Sequence, residues 1–285
     1  MDRTKGWGSG LLGVLIFSGS LPATRVAVAD FPPVFLTSAR AIIAALLGAA
    51  FLALLRQARP ARSDLAPLTI VALCVVIGFP LLTALALRHI TSAHSIVFVG
   101  LLPFATAVFG VLRGGERPKP LFWLFSGLGG GTVAGFALLN SGGGSLAGDL
   151  LMLAAILLCG LGYAEGATLS RRLGGWQVIS WALVVSLPPM ALIGLITMPG
   201  SWSGIGGPAW LGLAYISVFS MLLGFVFWYR GLALGGIAGV GQLQLLQPFF
   251  GLALASVLLH EPVAWTMIAA TSVVVLCVAG AKQSA

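Results

Sequence analysis

Two ionisable side chains, Arg40 and Glu165, stand inside long apolar stretches, and much of the chemistry open to this chain turns on them. A central Arg, Lys or Asp costs about 2.5–3.5 kcal/mol to insert into hydrocarbon, so each needs a partner or a purpose. Arg40 follows Pro33 by seven residues, roughly 10 Å of helix. Its guanidinium can serve structure, by snorkelling or by bonding the carbonyls of a broken neighbouring helix, or it can attract a substrate carboxylate. Glu165 precedes Arg171 by six residues, roughly 9 Å. It can bind an ammonium group, carry a proton, or pair locally. Gln244 and Gln247 flank Pro248 and share a helix face, with Gln242 nearly opposite Gln244; unbranched amides in an apolar medium need partners, so the pair suits a cavity wall or helix-to-helix glue. Phe17, Ser18, Phe79, Phe98, Tyr163 and Trp228, with Phe225 and Tyr229, lie at related depths and together can wall an apolar cavity.

Other chemistry is missing from the pattern. No paired carboxylates, nucleophile with its base, or His-rich set occurs, so no catalytic residues and no metal site are assigned, and the chain is not expected to be an enzyme. Cys74, Cys159 and Cys277 fall singly in apolar runs and read as small core residues. There is no GxxxxGK[ST] stretch, and no cofactor is expected. His89 and His260 fall in connections; His94 opens an apolar segment and reads as an interface or pH-sensing residue.

The elements that must position these residues follow from composition. Of 285 residues 59% are hydrophobic and only 8% charged, against about a quarter charged in a soluble domain. Mean hydropathy is +1.06. Such a chain lies in a bilayer. Cutting at charged, Pro and Gly clusters gives ten segments of about the 20 residues a crossing needs. They run near Trp7–Val28, Pro33–Leu55, Ala66–Leu87, Ser92–Leu112, Leu121–Leu139, Ala147–Leu169, Gln177–Met198, Ala209–Trp228, Gly236–Leu259 and Val263–Ala281. No apolar-polar alternation supports transmembrane strands. An all-α integral membrane protein of ten transmembrane helices is expected, with no cleavable signal peptide.

Ten crossings put both termini on one side. Twelve of the 15 basic residues fall on that side: Arg3, Lys5, Arg56, Arg59, Arg62, Arg113, Arg117, Lys119, Arg171, Arg172, Arg230 and Lys282. Arg25 and Arg88 fall on the other, and Arg40 lies within a span. The positive-inside rule then places both termini in the cytosol of a multi-pass inner-membrane protein. The net charge of +8 is thus a topology signal; the charges are not clustered on one face as nucleic-acid binding would require.

A shift of 145 residues superposes the fourth segment on the ninth. Leu87 meets Leu232, Ala93 meets Ala238, Leu101 meets Leu246, Pro103 meets Pro248, Phe104 meets Phe249, and Glu116 meets Glu261. Residues 1–145 and 146–285 therefore read as two five-helix repeats. Five is odd, so the second is inverted in topology. That architecture belongs to secondary transporters, with the site near mid-depth between the repeats. Pro22, Pro80, Pro103, Pro188 and Pro248 lie within spans, and the symmetric pair, Pro103 and Pro248, is read as hinges that free the carbonyls of Val99 and Gln244. Ser18 and Tyr163, also 145 apart, are expected to face each other across the axis.

The sequence resembles the EamA family of the drug/metabolite transporter superfamily over essentially its whole length. The likeness rests on Ala84-Leu-Ala-Leu87 and Gly231-Leu-Ala-Leu234, each followed by a small-residue turn, a mid-helix Pro and a Glu thirteen residues later. It rests also on Pro33 with Arg40, and on Gly148-Asp149 with Ser170-Arg-Arg172. Phe17-Ser-Gly-Ser-Leu-Pro22 is similar to the first helix of the YddG group of amino-acid exporters. The resemblance implies export of aromatic and other neutral amino acids, or similar amphipathic metabolites, by alternating access. The rival it leaves open is export of cationic or aromatic drugs on the same fold. The partners expected are a small-molecule substrate and the lipid bilayer, with protons through Glu165 as one way to couple transport to a gradient. Gly127, Gly131 and Gly135 form a small-residue stripe that suits close packing, usually within the chain, so a monomer is the simpler expectation and a homodimer stays open.

Overall fold

A computed structural model of the chain describes residues 3–114, 119–139, 145–235 and 240–283. Among these residues the regular structure is helical. The elements are α1 (Arg3–Ser18), α2 (Ser20–Asp30), α3 (Pro33–Leu54), α4 (Arg62–Val71), a π-helical stretch (Ala72–Gly78), α5 (Phe79–Ala86), α6 (Ser92–Val99), α7 (Leu102–Gly114), α8 (Pro120–Leu139), α9 (Leu146–Leu173), α10 (Gly175–Ile196) and α11 (Gly207–Ala214). A second π-helical stretch (Tyr215–Leu223), α12 (Gly224–Gly235), a 3-10 stretch (Gly241–Leu246), α13 (Gln247–Leu259) and α14 (Trp265–Gln283) complete the chain. Among the described residues seven helical stretches are long and apolar enough to cross a membrane: Lys5–Asp30, Pro33–Leu54, Arg62–Ala86, Ser92–Leu112, Leu146–Leu173, Gly175–Ile196 and Gly207–Leu232. The apolar α8 has 20 residues, and Leu243–Leu259 and Trp265–Cys277 are shorter apolar helices. Large apolar side chains such as Leu139, Ile196, Leu211 and Leu276 stand exposed on the outside, as a lipid-facing surface requires. The chain is a multi-pass membrane protein.

Several of these stretches are interrupted, and the sequence explains how. Pro22, Pro80, Pro103 and Pro248 each fall in the first turn of a new helix, where a missing N–H costs nothing. Pro188 lies inside the continuous α10. The two π-helical stretches are themselves related by the 145-residue shift, since 72–78 maps onto 217–223. Each widens the helix by one residue: the Phe79 N–H donates to the Cys74 carbonyl, and the Gly224 N–H to the Phe219 carbonyl. The first ends on Gly78 and the second is followed directly by Gly224, and both positions are sterically crowded. A Cβ at Gly78 would lie 2.6 Å from Leu158 Cδ1 and 2.8 Å from the Leu73 carbonyl oxygen, and one at Gly224 would lie 2.6 Å from Phe17 Cε1 and 3.1 Å from the Phe219 carbonyl oxygen.

The expectation that Pro248 frees the Gln244 carbonyl is corrected: the 3-10 turn lets the Gln247 N–H donate to it. Glu116 and its connection lie outside the described residues, as does Ala238.

Packing joins the two halves of the chain. α1 and α2 run along α12 and α11, and α5 with Ala72–Gly78 runs along α9. α3 packs on α10, α6 on α13, and α8 on α14, while α7 lies against α9 and α1 against α13. One continuous apolar core results, with Trp228 and Tyr229 among its largest fully buried side chains. Among the described residues the glycine stripe does not pack within the chain as expected: a Cβ at Gly127, Gly131 or Gly135 would meet none of them within 4 Å, while Gly129 of the same helix faces Cys277 of α14.

Candidate functional site

A small, mainly apolar cavity opens where the helices are interrupted. Phe17 comes from the end of α1, and Ser20 and Leu21 from the start of α2. Val75, Phe79 and Pro80 belong to the first wide turn and the helix after it; Ser220, Met221 and Phe225 belong to the second. Val99 and Leu102 flank the break between α6 and α7, and Gln247 opens α13. The uninterrupted helices α3 and α9 contribute Arg40 and Tyr163. Interrupted helices leave backbone groups and polar side chains at depth, which a bilayer tolerates only where they are buried in protein or line a cavity.

Arg40 dominates the electrostatics. It is 5% exposed, its Nε is buried without a hydrogen-bond partner, and among the described residues no carboxylate pairs with it. No carbonyl of a broken helix accepts from it among those residues either. A buried cation without a protein counter-charge is unfavourable by several kcal/mol unless an anion is supplied.

Four aromatic rings form one wall. Phe17 meets Phe225 edge to face at 4.9 Å between centroids, Tyr163 stands 5.8 Å from Phe225, and Trp228 backs both Phe17 and Tyr163 at 6.4 and 6.1 Å. Polar contacts secure the interruption of the first helix. Ser20 Oγ and Ser220 Oγ lie 2.7 Å apart, and the Tyr215 hydroxyl donates to the Ile16 carbonyl at 2.7 Å.

The predicted residues divide accordingly. Phe17, Phe79, Tyr163, Arg40 and Gln247 line the cavity, and Gln247 presents a buried Oε1 without a partner. Gln244 is buried nearby with an unpartnered Nε2, but it is not a lining residue. Trp228 supports the wall from behind. Ser18 turns away from the cavity: its hydroxyl donates to the Val14 carbonyl at 2.7 Å and lies 3.4 Å from that of Gln247. Tyr163 instead faces Phe225 and Trp228. Phe98 is buried beside His94, at 5.8 Å between rings, and Glu165 is buried on α9 outside the lining. Pro248 is buried in the first turn of α13; Pro103 begins α7, its side chain outside the described residues. Phe225, named from sequence among the aromatic residues able to wall a cavity, does line it, whereas Ser20 and Ser220 were not singled out from sequence. Nothing in Ser217-Val-Phe-Ser-Met-Leu-Leu223 signals a widened helix except the glycine that follows it.

A cavity enclosed by interrupted apolar helices, with one buried cation and an aromatic wall, defines a membrane transporter. The chain belongs to the EamA-like transporter family, whose model matches residues 4–139 and again 146–281. It is 67% identical over 282 residues to the "Uncharacterized transporter YdeK" of Bacillus subtilis (strain 168), covering 99% of this chain and 98% of that one. It is 24% identical over 218 residues to the "Uncharacterized inner membrane transporter YedA" of Escherichia coli (strain K12), covering 73% and 68%. A solved crystal structure shares the fold at a TM-score of 0.69 and 20% identity, over 98% of this chain and 97% of that chain.

Proposed function

We propose that the chain is a secondary transporter that exports aromatic and other neutral amino acids, or similar small amphipathic metabolites, across the bacterial inner membrane. It works by alternating access between two inverted five-helix repeats, 1–145 and 146–285, with both termini cytosolic. Three findings support the repeat. The two wide turns are 145 residues apart. The packing is exchanged onto itself when each segment is replaced by its mate, so that α1 on α12 corresponds to α9 on α5. The family model matches the chain twice. Interruptions just ahead of Pro103 and Pro248 support those two positions as hinges.

Arg40 carries the choice of substrate. A lone buried guanidinium suits one carboxylate, bound through two parallel hydrogen bonds, and the aromatic wall suits an apolar side chain beside it. Gln247 Oε1 is an acceptor for the substrate's ammonium group. The aromatic wall of Phe17, Tyr163 and Phe225, backed by Trp228, also supports a second reading, export of cationic or aromatic drugs. Reconstituted liposomes given radiolabelled neutral, aromatic and cationic amino acids test the proposal. Saturable, competitor-sensitive flux of the neutral and aromatic ones is expected; its absence for every one of them overturns the reading.

A further inference from the structure

We propose that His94 and Asp149 form a proton-binding site at the external ends of the fourth and sixth membrane segments. The assignment of that end as external rests on the topology given above. His94 is the third residue of α6 and Asp149 the fourth of α9, so each lies within about one helical turn, roughly 5 Å, of its helix end. His94 Nε2 and Asp149 Oδ1 are 2.7 Å apart, with the residues 4% and 7% exposed. The imidazole packs between the rings of Phe136, at 4.9 Å, and Phe98, at 5.8 Å. This bond therefore lies in a low-dielectric setting, where the charge carried by one proton changes its strength most.

The pair is surplus to what this helix end requires. The Thr91 hydroxyl oxygen accepts from the His94 N–H. The Glu261 carboxylate accepts from the Ser92 N–H at 3.2 Å, the Ser92 hydroxyl at 2.7 Å and the Ala93 N–H at 2.8 Å. The start of α6 is thus capped without the imidazole. The other titratable or charged groups near this end are engaged or peripheral. Glu261 is taken up by these amides, and Arg25 donates to the Leu87 carbonyl. His89 contributes its Cβ against Gly148, and Arg88 is exposed.

Imidazole is the side chain whose ordinary range of protonation spans near-neutral pH. With the proton bound, the imidazolium and carboxylate attract and hold α6 to α9. With the proton released to external water, a buried carboxylate faces a neutral ring and the tie weakens. The proton thus favours contact between an element from each half of the chain, and transport follows external pH.

Two measurements test this. In the first, His89→Gln and His260→Gln leave His94 as the single imidazole of the three in the chain, and its ring nitrogens are followed by NMR from roughly pH 5.5 to 8.5. The resonances are expected to move between the two protonation states, and to lose that movement in Asp149→Asn. Fixed resonances in the intact pair overturn the proposal. In the second, flux into liposomes at constant internal pH is measured against external pH. The unaltered protein is expected to vary severalfold, while His94→Gln and Asp149→Asn keep flux but vary less than twofold. Retention of the full pH profile by both variants also overturns it. If the unaltered protein carries no flux, the transport reading fails by itself and the NMR titration alone decides the proton site.

Discussion

Ser20 Oγ and Ser220 Oγ meet at 2.7 Å across 200 residues of sequence, one from the restart of the first helix and the other from the second wide turn. Their contact joins two interruptions at the wall of one cavity. Removing either hydroxyl by Ser20→Ala or Ser220→Ala should cost roughly 1 kcal/mol, because its partner loses a hydrogen bond in a half-dry site. The double variant should cost less than the two single changes added, by about 0.5–1 kcal/mol, in thermal unfolding of the detergent-solubilised protein. Strict additivity would show that the two hydroxyls do not stabilise each other.

Gly78, at the end of the first wide turn, and Gly224, just after the second, are a second point of attack. Gly78→Ala and Gly224→Ala place a methyl group against Leu158 and Phe17 respectively, as well as against the carbonyl five residues earlier, and should each destabilise the fold by about 1–3 kcal/mol. Gly110→Ala, on α7, meets nothing within 4 Å and should stabilise by roughly 0.5–1 kcal/mol through helix propensity. The opposite signs make the comparison decisive: equal effects at all three positions would mean that Gly78 and Gly224 are under no steric demand.

Glu261 holds the start of α6 through two amides and a hydroxyl. Glu261→Ala should cost about 1–2 kcal/mol, in the range of other lost helix caps, and Glu261→Gln less, since an amide oxygen still accepts. Thermal unfolding of the two variants side by side checks the order; a Gln variant as unstable as the Ala variant would assign the effect to charge alone.

Much of this architecture is legible in the sequence because hydrocarbon imposes simple rules. Long apolar runs and Pro near helix starts are local signals, and the recurrence of Pro103 and Glu116 as Pro248 and Glu261 shows when the chain is compared with itself. Phe17, Phe79, Tyr163, Arg40 and Gln247 were picked out as polar or aromatic exceptions within such runs, and they line the cavity. What escaped is what arises only from packing. Ser220 sits in an ordinary apolar run and gains its place from a widened turn that the sequence marks by no more than Gly224. Ser18, one residue from Phe17, turns its hydroxyl to its own helix and donates to the Val14 carbonyl four residues earlier, as Ser38 and Ser170 do in uninterrupted helices. The bond between His94 and Asp149 spans 55 residues and links helices from the two halves of the chain, a distance at which single-residue patterns say nothing.

The most direct test of the account is exchange of labelled phenylalanine or leucine across liposomes, set against their decarboxylated amines, with the unaltered protein and with Arg40→Gln. If Arg40 holds the substrate carboxylate, the amino acids exchange and the amines do not, and Arg40→Gln loses amino-acid exchange by at least about tenfold, as removal of a charge-assisted bidentate pair requires. Exchange of the amines in preference to the amino acids, or undiminished amino-acid exchange in Arg40→Gln, would contradict it.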